Sequence, residues 1–516
     1  MLPKISSPGR LAALLVVLAT CTFLLFFQLA EVPIFGDETL YVRIAARVVH
    51  AGQWAPLLGG TTAFVWKPPI TIWGSAAGML LLGENELGAR LAVGLVALLL
   101  CGLTAYFGWR IGNAWTMVLA PLTLVSAPGL LLDHGLRSAV PEAWLLLAVT
   151  ASFLYFLETG ERSARVRFGG LILLSFFSGF TKELVAPLVV GAALFLVELA
   201  APPGGIPAGA PAEPLGAAAF RRRAGRACAS ATAAALPGLL IYLAWLLFSL
   251  GTVGEVLRFL EVDVVQRSVG GIDPNHLQPP SIYLRSALQN FGVFALLAPL
   301  ALAVAVVRDR RRPGAAPGHE RRIQLTLLLW ILVVFGLFAI PSSRLPWYVF
   351  PAYPGLALAT ALTLDGARRF LRPWRAGPLS FLLLLALLLA LRTRALVQEW
   401  PPREPHSLAA LQHRLDADPE ARAFVEWKLV RGEEARLHVA RWHRFYLRRF
   451  VALDRRELQA NAPACSFVVT AEPDAWRELL GGRLAGATPV RGELPAQLRL
   501  YVLDLCGGAF SRGAAP

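Results

Sequence analysis

Blocks of unbroken apolar residues, each about 18 to 25 long, recur along most of this chain and decide its fold class before any motif does. A block of that length crosses a hydrocarbon core as one helix, and in lipid only a helix or a closed barrel satisfies its own backbone polar groups. Eleven candidate spans can be drawn: 11–31, 87–108, 113–132, 140–158, 168–181, 184–200, 229–250, 285–307, 323–341, 347–365 and 377–392. The fifth and sixth are short and separated only by Thr181-Lys182-Glu183. Charged residues make up 16% of the chain, against roughly 25% in a soluble domain. The reading is an all-α polytopic membrane protein.

The net charge of +15 invites a nucleic-acid partner, but its distribution argues against one. Arginines gather at Arg162/Arg165/Arg167, at Arg221/Arg222/Arg223/Arg226, at Arg308/Arg310/Arg311/Arg312/Arg321/Arg322 and at Arg368/Arg369/Arg372/Arg375. Under this span count every cluster falls on the side of the N-terminus, which carries Lys4 and Arg10. That is the positive-inside pattern, with a smaller contribution from anionic headgroups. The first segment has the charged start and apolar stretch of a signal peptide without an A-x-A-like cleavage site, and reads as an uncleaved anchor. An odd number of spans then puts the tail outside the cytoplasm.

Two domains follow: 1–392 in the membrane and 393–516 outside it. Within the first, the segments 32–86 and 251–284 face outward. Leu40, Tyr41, Ile44, Val48 and Val49 share one helical face and Arg43, Arg47 and His50 the opposite one, so 38–50 reads as an amphipathic interfacial helix ended by Gly52. The stretch 69–82, after Pro68-Pro69, is short for a span and is placed in the interface as well. The loop 201–227 opens Pro/Gly/Ala-rich and reads as disordered. The tail opens helix-like and charged over 405–460 and closes on the β-like runs SFVVTA and LYVLDL, which suits a small external α/β domain. Of the five cysteines, Cys21, Cys101 and Cys228 lie in or beside spans and act as small apolar residues. Cys465 and Cys506 share the tail, where an oxidising compartment is compatible with a disulfide. No metal-ligand spacing such as C-x-x-C occurs.

Chemistry-bearing residues gather on the outer face. Asp37-Glu38 directly follows the first span; acids that open a helix also favour its positive end without any further role. Lys67, in VWKPP, is the first strong cation of the same outer loop. Arg137 and Glu142 lie where the third span exits and the fourth enters, and a carboxylate inside an apolar helix needs a partner. Lys182 and Glu183 join the fifth and sixth spans, as part of a site or as an ordinary polar turn. Arg344 sits in a proline-braced turn before Trp347 and Tyr348. Aromatics at this depth are expected interface anchors, which accounts for Trp347 and Tyr353. His276 and Tyr283, before the eighth span, are further candidates.

Carboxylates and cations from separate outer loops suit sugar transfer from a polyprenyl phosphate. The leaving phosphate is stable as an anion and needs cations around it. A hydroxyl acceptor needs a base, whereas a phosphate acceptor needs less help.

The order of these motifs resembles the GT-C glycosyltransferases: D-E near the first span, a W/E-K-P-P loop, R-x-x-x-x-D/E, T-K, and a K/R-x-P-x-Y-x-x-P-x-x-P run. It is most similar to the bacterial branch with the lipid A aminoarabinose transferases and the Rgt-type galacturonosyl transferases, with protein O-mannosyltransferases more distant. The resemblance covers roughly 11–365. It implies a catalytic role for Asp37, with Glu38 beside it and Glu142 at the second acidic position. Lys67, Arg137, Arg344 and Tyr348 would bind the donor phosphate; Lys182, His276 and Tyr283, taken from their positions in the sequence rather than from the resemblance, are candidate substrate contacts. Many relatives carry glycine after T-K where this chain has Glu183, and Arg344 replaces a frequent lysine. The resemblance further implies a polyprenyl-phosphate sugar donor and inversion at the anomeric carbon. The acceptor would be a lipid, a glycan or a protein, on the outer, periplasmic face of a bacterial inner membrane. No cofactor is required; a divalent ion bridging carboxylates and phosphate is compatible with the set.

Two readings from other classes stand beside this one. A transporter or flippase for a lipid-linked substrate would place its charges near the midplane, in broken or repeated helices. A non-catalytic assembly subunit would use the outer loops and tail for docking, and would survive Asp37→Asn.

Overall fold

The computed structural model describes residues 8–371 apart from 31–33, 35–36, 60–61, 161, 201–216, 271–275 and 312–317, together with five strands in the C-terminal part. The first helices are α1 (Pro8–Phe26), α2 (Asp37–Ala51), α3 (Ile70–Leu82), α4 (Glu86–Ile111) and α5 (Ala114–Val125). Then come α6 (Glu142–Glu158), α7 (Ala164–Gly179), α8 (Val185–Ala200), α9 (Ala217–Leu250), α10 (Val253–Leu260) and the single turn α11 (Arg267–Val269). The last are α12 (Ser281–Phe291), α13 (Phe294–Arg311), α14 (Gly318–Ala339) and α15 (Tyr353–Leu371). Contacts divide the chain into two compact units, one of 1–29, 48–83 and 88–400, the other of 30–47, 84–87 and 401–516.

In the first unit the helices follow the apolar blocks. Three of them, Glu86–Ile111, Phe220–Leu250 and His319–Ala339, are individually long and apolar enough to cross a membrane. The expected eighth span, 285–307, is not one straight helix: α12 and α13 meet at a bend of 98°. Gly292 ends α12 at φ +59, with its N–H on Leu288 O, a conformation glycine adopts without a Cβ penalty. The expected third span, 113–132, is also broken. Its helix α5 is capped by Asn113, whose Oδ1 accepts from Trp115 N–H at 2.8 Å; it stops at Val125, and a π-helical turn, Gly129–Asp133, follows. Helix α9 begins well before the expected 229, because the Ala-rich, arginine-bearing run from Ala217 is a good helix former. The expected eleventh span, 377–392, lies outside the described residues, as does most of the loop read as disordered.

Helices α7 and α8 pack on α9, α14 on α8 and α13, α15 on α5 and α13, and α1 on α5. Trp330 of α14 stacks on Phe153 of α6 at 4.4 Å between ring centres and donates its indole N–H to Pro351 O at 2.7 Å. Tyr353 meets Ser286 Oγ through its hydroxyl at 2.9 Å. A buried polar ring atom thus finds a partner in each case. Cys21 and Cys101 are buried and Cys228 exposed, all three free thiols; Cys465 and Cys506 lie outside the described residues.

The approach of α7 to α9 depends on small residues, as between membrane helices generally. A Cβ on Gly179 would stand 2.3 Å from Gly238 O, a backbone atom that cannot rotate away. Gly238 N–H in turn donates to Ser175 Oγ at 2.9 Å. Gly179→Val is expected to cost about 1–3 kcal/mol by overpacking, read as a lower melting temperature in detergent. Gly169→Val on the same helix, where a Cβ meets nothing within 4 Å, is the control and should melt close to the parent.

In the second unit, Asp37–Arg47 opens α2 with both acids in its first turn. Ile44, Ala45 and Tyr41 are buried while Arg47 is exposed, in line with the amphipathic pattern; the helix ends at Gly52, φ +66, in the other unit. Five strands, β1 (Arg422–Glu426), β2 (Phe450–Leu453), β3 (Ser466–Thr470), β4 (Ala487–Pro489) and β5 (Tyr501–Asp504), form one mixed sheet in the order β2-β1-β3-β5-β4. β1 pairs in parallel with β2 and β3, and β5 runs antiparallel to β3 and β4. The runs SFVVTA and LYVLDL supply β3 and β5, as their composition suggests. β1 and β2 correct the helix-like reading of 405–460. Their short β-favouring runs, RAFVE and FVAL, are diluted by the charged sequence around them.

Candidate active site

Glu142 is the first residue of α6, after Pro141, so its carboxylate sits at the positive end of the helix dipole. It is 1% exposed. One oxygen, Oε1, accepts from Lys182 Nζ at 2.6 Å and lies 3.3 Å from His134 Nε2. The other, Oε2, has no hydrogen-bond partner among the described residues. His134 follows the π-helical turn and stacks on Trp347 at 4.4 Å. Lys182 Nζ stands 5.6 Å from the centre of the Tyr348 ring, within cation–π range. Four segments therefore converge here: the loop before α6, the turn between α7 and α8, the start of α6, and the Pro346–Ala352 3-10 turn that leads into α15.

The adjoining residue of the same turn forms a second cluster. Glu183 has φ +39, and its carboxylate takes the Lys67 ammonium in an ion pair. Lys67 comes from the loop before α3, where Trp66 meets Phe259 edge-on at 5.5 Å. Asp263 is buried near them and pairs with Arg267 Nη1 at 3.0 Å. Burial first, then the Glu183 charge, push the Asp263 carboxyl above the usual carboxylate range, with Arg267 and Lys67 opposing.

Arg344 ties the stretch 276–278 to the end of α14. It donates through Nη1 to Gln278 O at 2.9 Å and through Nη2 to Ala339 O at 3.0 Å, while its backbone N–H reaches His276 O at 2.7 Å. His276 Nδ1 is 3.4 Å from Ser343 Oγ. Tyr283 is buried, its hydroxyl has no partner among the described residues, and it lies in electrostatic range of Tyr348 and Arg344. Arg137 donates to Leu24 O at 2.6 Å and Phe27 O at 2.7 Å, the carbonyls left open where α1 ends.

Sequence reasoning thus named Glu142, Lys182 and Tyr348, which meet, and Lys67, which meets Glu183. It named Arg344, His276 and Tyr283, which share one loop assembly. Arg137 sits at the end of α1. Asp37, part-buried, and Glu38, buried, belong to the second unit. His134, Asp263 and Arg267 were missed, and Trp347 was set aside as an anchor. A histidine shortly before Glu142, ahead of the same helix, was the available signal for His134. Among the described residues, no group of three His, Cys, Asp or Glu side chains is arranged to hold a metal ion.

No protein-family model matches the chain. It is 26% identical over 383 residues to an undecaprenyl phosphate-alpha-4-amino-4-deoxy-L-arabinose arabinosyl transferase of Pseudomonas fluorescens, covering 72% of this chain and 62% of the relative. A protein of the same name from Pseudomonas paraeruginosa is 29% identical over 331 residues, 62% of this chain and 54% of the relative. The chain therefore spans little more than half the length of these curated relatives. Its fold matches that of ArnT from Cupriavidus metallidurans, solved bound to undecaprenyl phosphate, with a TM-score of 0.62 at 17% identity, covering 98% of this chain and 100% of that one. An oligosaccharyltransferase from Archaeoglobus fulgidus gives 0.52 at 12% identity, covering 86% and 62%. The resemblance to the GT-C group read from the order of motifs is borne out by these relatives and by the shared fold.

Proposed function

We propose that this chain is an integral-membrane glycosyltransferase that moves a sugar from a polyprenyl-phosphate carrier to a lipid acceptor. The observation that carries this reading is the meeting of the Glu142–Lys182–His134 cluster with the Lys67–Glu183 pair through one turn, within an ArnT-like fold. In the reaction, an acceptor oxygen forms a bond to the anomeric carbon as the bond from that carbon to the carrier phosphate breaks. The polyprenyl phosphate leaves with the electron pair, and the anomeric centre inverts. Cations near the leaving phosphate stabilise the charge that develops on it. Lys67 and Arg344 are given that role, Tyr348 offers the phosphate a hydroxyl hydrogen bond, and Arg137, at the end of α1, is a further cation of the set.

The carboxylate that takes the proton of a hydroxyl acceptor is assigned to Asp37, from its place in the motif order rather than from any contact, with Glu38 beside it. Glu142 offers Oε2 as an acceptor for a substrate hydroxyl, and Lys182 holds the other oxygen in place. His276 and Tyr283 complete the substrate contacts. As written, the step calls on no metal. Eleven spans, interfacial α2 and α3, and an external α/β domain over 393–516 complete the architecture, with the site on the periplasmic face of a bacterial inner membrane. Glycan and protein acceptors belong to the same reading with a different final oxygen.

The test is transfer of label from a panel of radiolabelled polyprenyl-phosphate sugars to membrane lipids by purified wild type and Asp37→Asn. Transfer by the wild type alone is expected. Transfer by both removes Asp37 from the chemistry, and transfer by neither, with every donor, favours a transporter or an assembly subunit.

A further inference from the structure

Glu183 lies in the turn that joins α7 to α8, next to Lys182 of the Glu142 cluster, and its geometry is unusual twice over. Its backbone is left-handed at φ +39, a conformation that glycine accepts freely and that disfavours a residue with a Cβ. Strain of this kind persists where surrounding contacts hold it, and it clusters at binding sites and switches. The contact that holds it here is the ion pair with Lys67, with side chains 14% and 18% exposed. The cation expected to meet the donor phosphate already has a carboxylate on it.

Charge bookkeeping around that pair shows what a phosphate must do. Lys67 and Arg267 are two cations; Glu183 and Asp263 are two carboxylates. Glu183, Arg267 and Lys67 each lie within electrostatic range of Asp263, and the formal charges of the four sum to zero. An arriving phosphate makes the group anionic unless one carboxylate withdraws. Asp263 is the poorer candidate, because its side chain is only 6% exposed and Arg267 clasps it across one helical turn. Glu183 lies in the turn between α7 and α8, and its side chain is 14% exposed, more than that of Asp263.

Resting on the reading of Lys67 as a donor-phosphate contact, we infer that Glu183 is a built-in competitor for Lys67, and that the phosphate gains the ammonium by displacing it. Glu183 thereby sets the affinity for the lipid carrier. A glycine in the same place leaves the ammonium open to phosphate; a glutamate trades carrier affinity for a pair that closes the site when no carrier is bound. Its neighbour Lys182 holds Glu142, so movement of Glu183 is also transmitted along one peptide unit to the second cluster.

The experiment measures binding of undecaprenyl phosphate, without sugar, to the purified full-length chain in nanodiscs. It compares wild type, Glu183→Gln, Glu183→Gly and Lys67→Met, each checked for an intact melting transition. Glycine suits the left-handed backbone, so Glu183→Gly keeps the turn if the glutamine variant does not. Both Glu183 variants are expected to bind about two- to fivefold tighter than wild type, the size of one partly exposed charge pair, and Lys67→Met to bind more weakly. The gain should narrow as ionic strength rises. An ion pair with only a structural role predicts the opposite sign, since its loss loosens the site. Glu183 variants that bind no tighter while Lys67→Met weakens binding overturn the inference and leave Lys67 as the phosphate contact. Equal binding by all four proteins removes Lys67 from the phosphate site, and the inference with it.

Discussion

Glu142→Ala is expected to lose sugar transfer and to destabilise the protein by about 3–5 kcal/mol, because it leaves an ammonium buried without its counter-ion. Lys182 is 7% exposed and donates to Glu142 at 2.6 Å, so water cannot replace the missing carboxylate. His134 loses the same oxygen and keeps its stacking on Trp347. Chemical denaturation in detergent reads the stability, and donor-dependent transfer reads the activity. A second variant separates the two effects: Glu142→Leu combined with Lys182→Met removes both charges at once. It should recover most of the stability, since replacing a buried pair by apolar groups is often neutral or stabilising, and should still fail to transfer. Transfer by that double variant would reduce the pair to a structural role and exclude Glu142 from substrate contact.

The other large effect is expected where α7, α8 and α14 meet the C-terminal end of α6. Glu198 of α8 accepts from both Arg167 of α7 and Arg322 of α14, the latter at 2.9 Å. The two guanidiniums lie 4.8 and 4.6 Å from the centre of the Phe156 ring. Glu198→Ala would leave two buried like charges around one ring with no counter-ion between them. Arg322 is 6% exposed and Arg167 8%. The cost should again be about 3–5 kcal/mol. Adding Arg322→Met should return part of it by removing the repulsion. Phe156 lies fourteen residues after Glu142 on α6, roughly 21 Å along a helix rising about 1.5 Å per residue. The activity of the protein that remains folded should therefore stay near that of the parent. A fall in specific activity equal to that of Glu142→Ala would show that the two ends of α6 are coupled.

That second cluster also shows how a sequence can be read correctly and incompletely. Arg167 and Arg322 belong to the basic clusters taken as a topology signal, and charge distribution alone says nothing more about them. Burial around Glu198 is a separate property, and it depends on α7, α8 and α14 arriving at one place. The same holds for His134, which no periodicity singles out, and for Asp263, whose partner Arg267 lies one turn away but whose proximity to Lys67 is long-range.

The sequence by itself determined what local physics controls. Apolar blocks became helices because an extended run of such residues buries its own backbone in hydrogen bonds. Helix α2 begins at Asp37-Glu38 and ends at Gly52, and α3 follows Pro68-Pro69, because acids, glycine and proline act on the turns that contain them. The order of the charged motifs along the chain was legible as well and pointed to the right fold. The tertiary structure alone decided which cation meets which carboxylate. Lys67 finds Glu183 across 116 positions and Lys182 finds Glu142 across 40, and neither pairing follows from spacing. Hydropathy and helix signals act over a few residues, whereas an ion pair forms only once packing brings its helix ends within a few ångströms of each other.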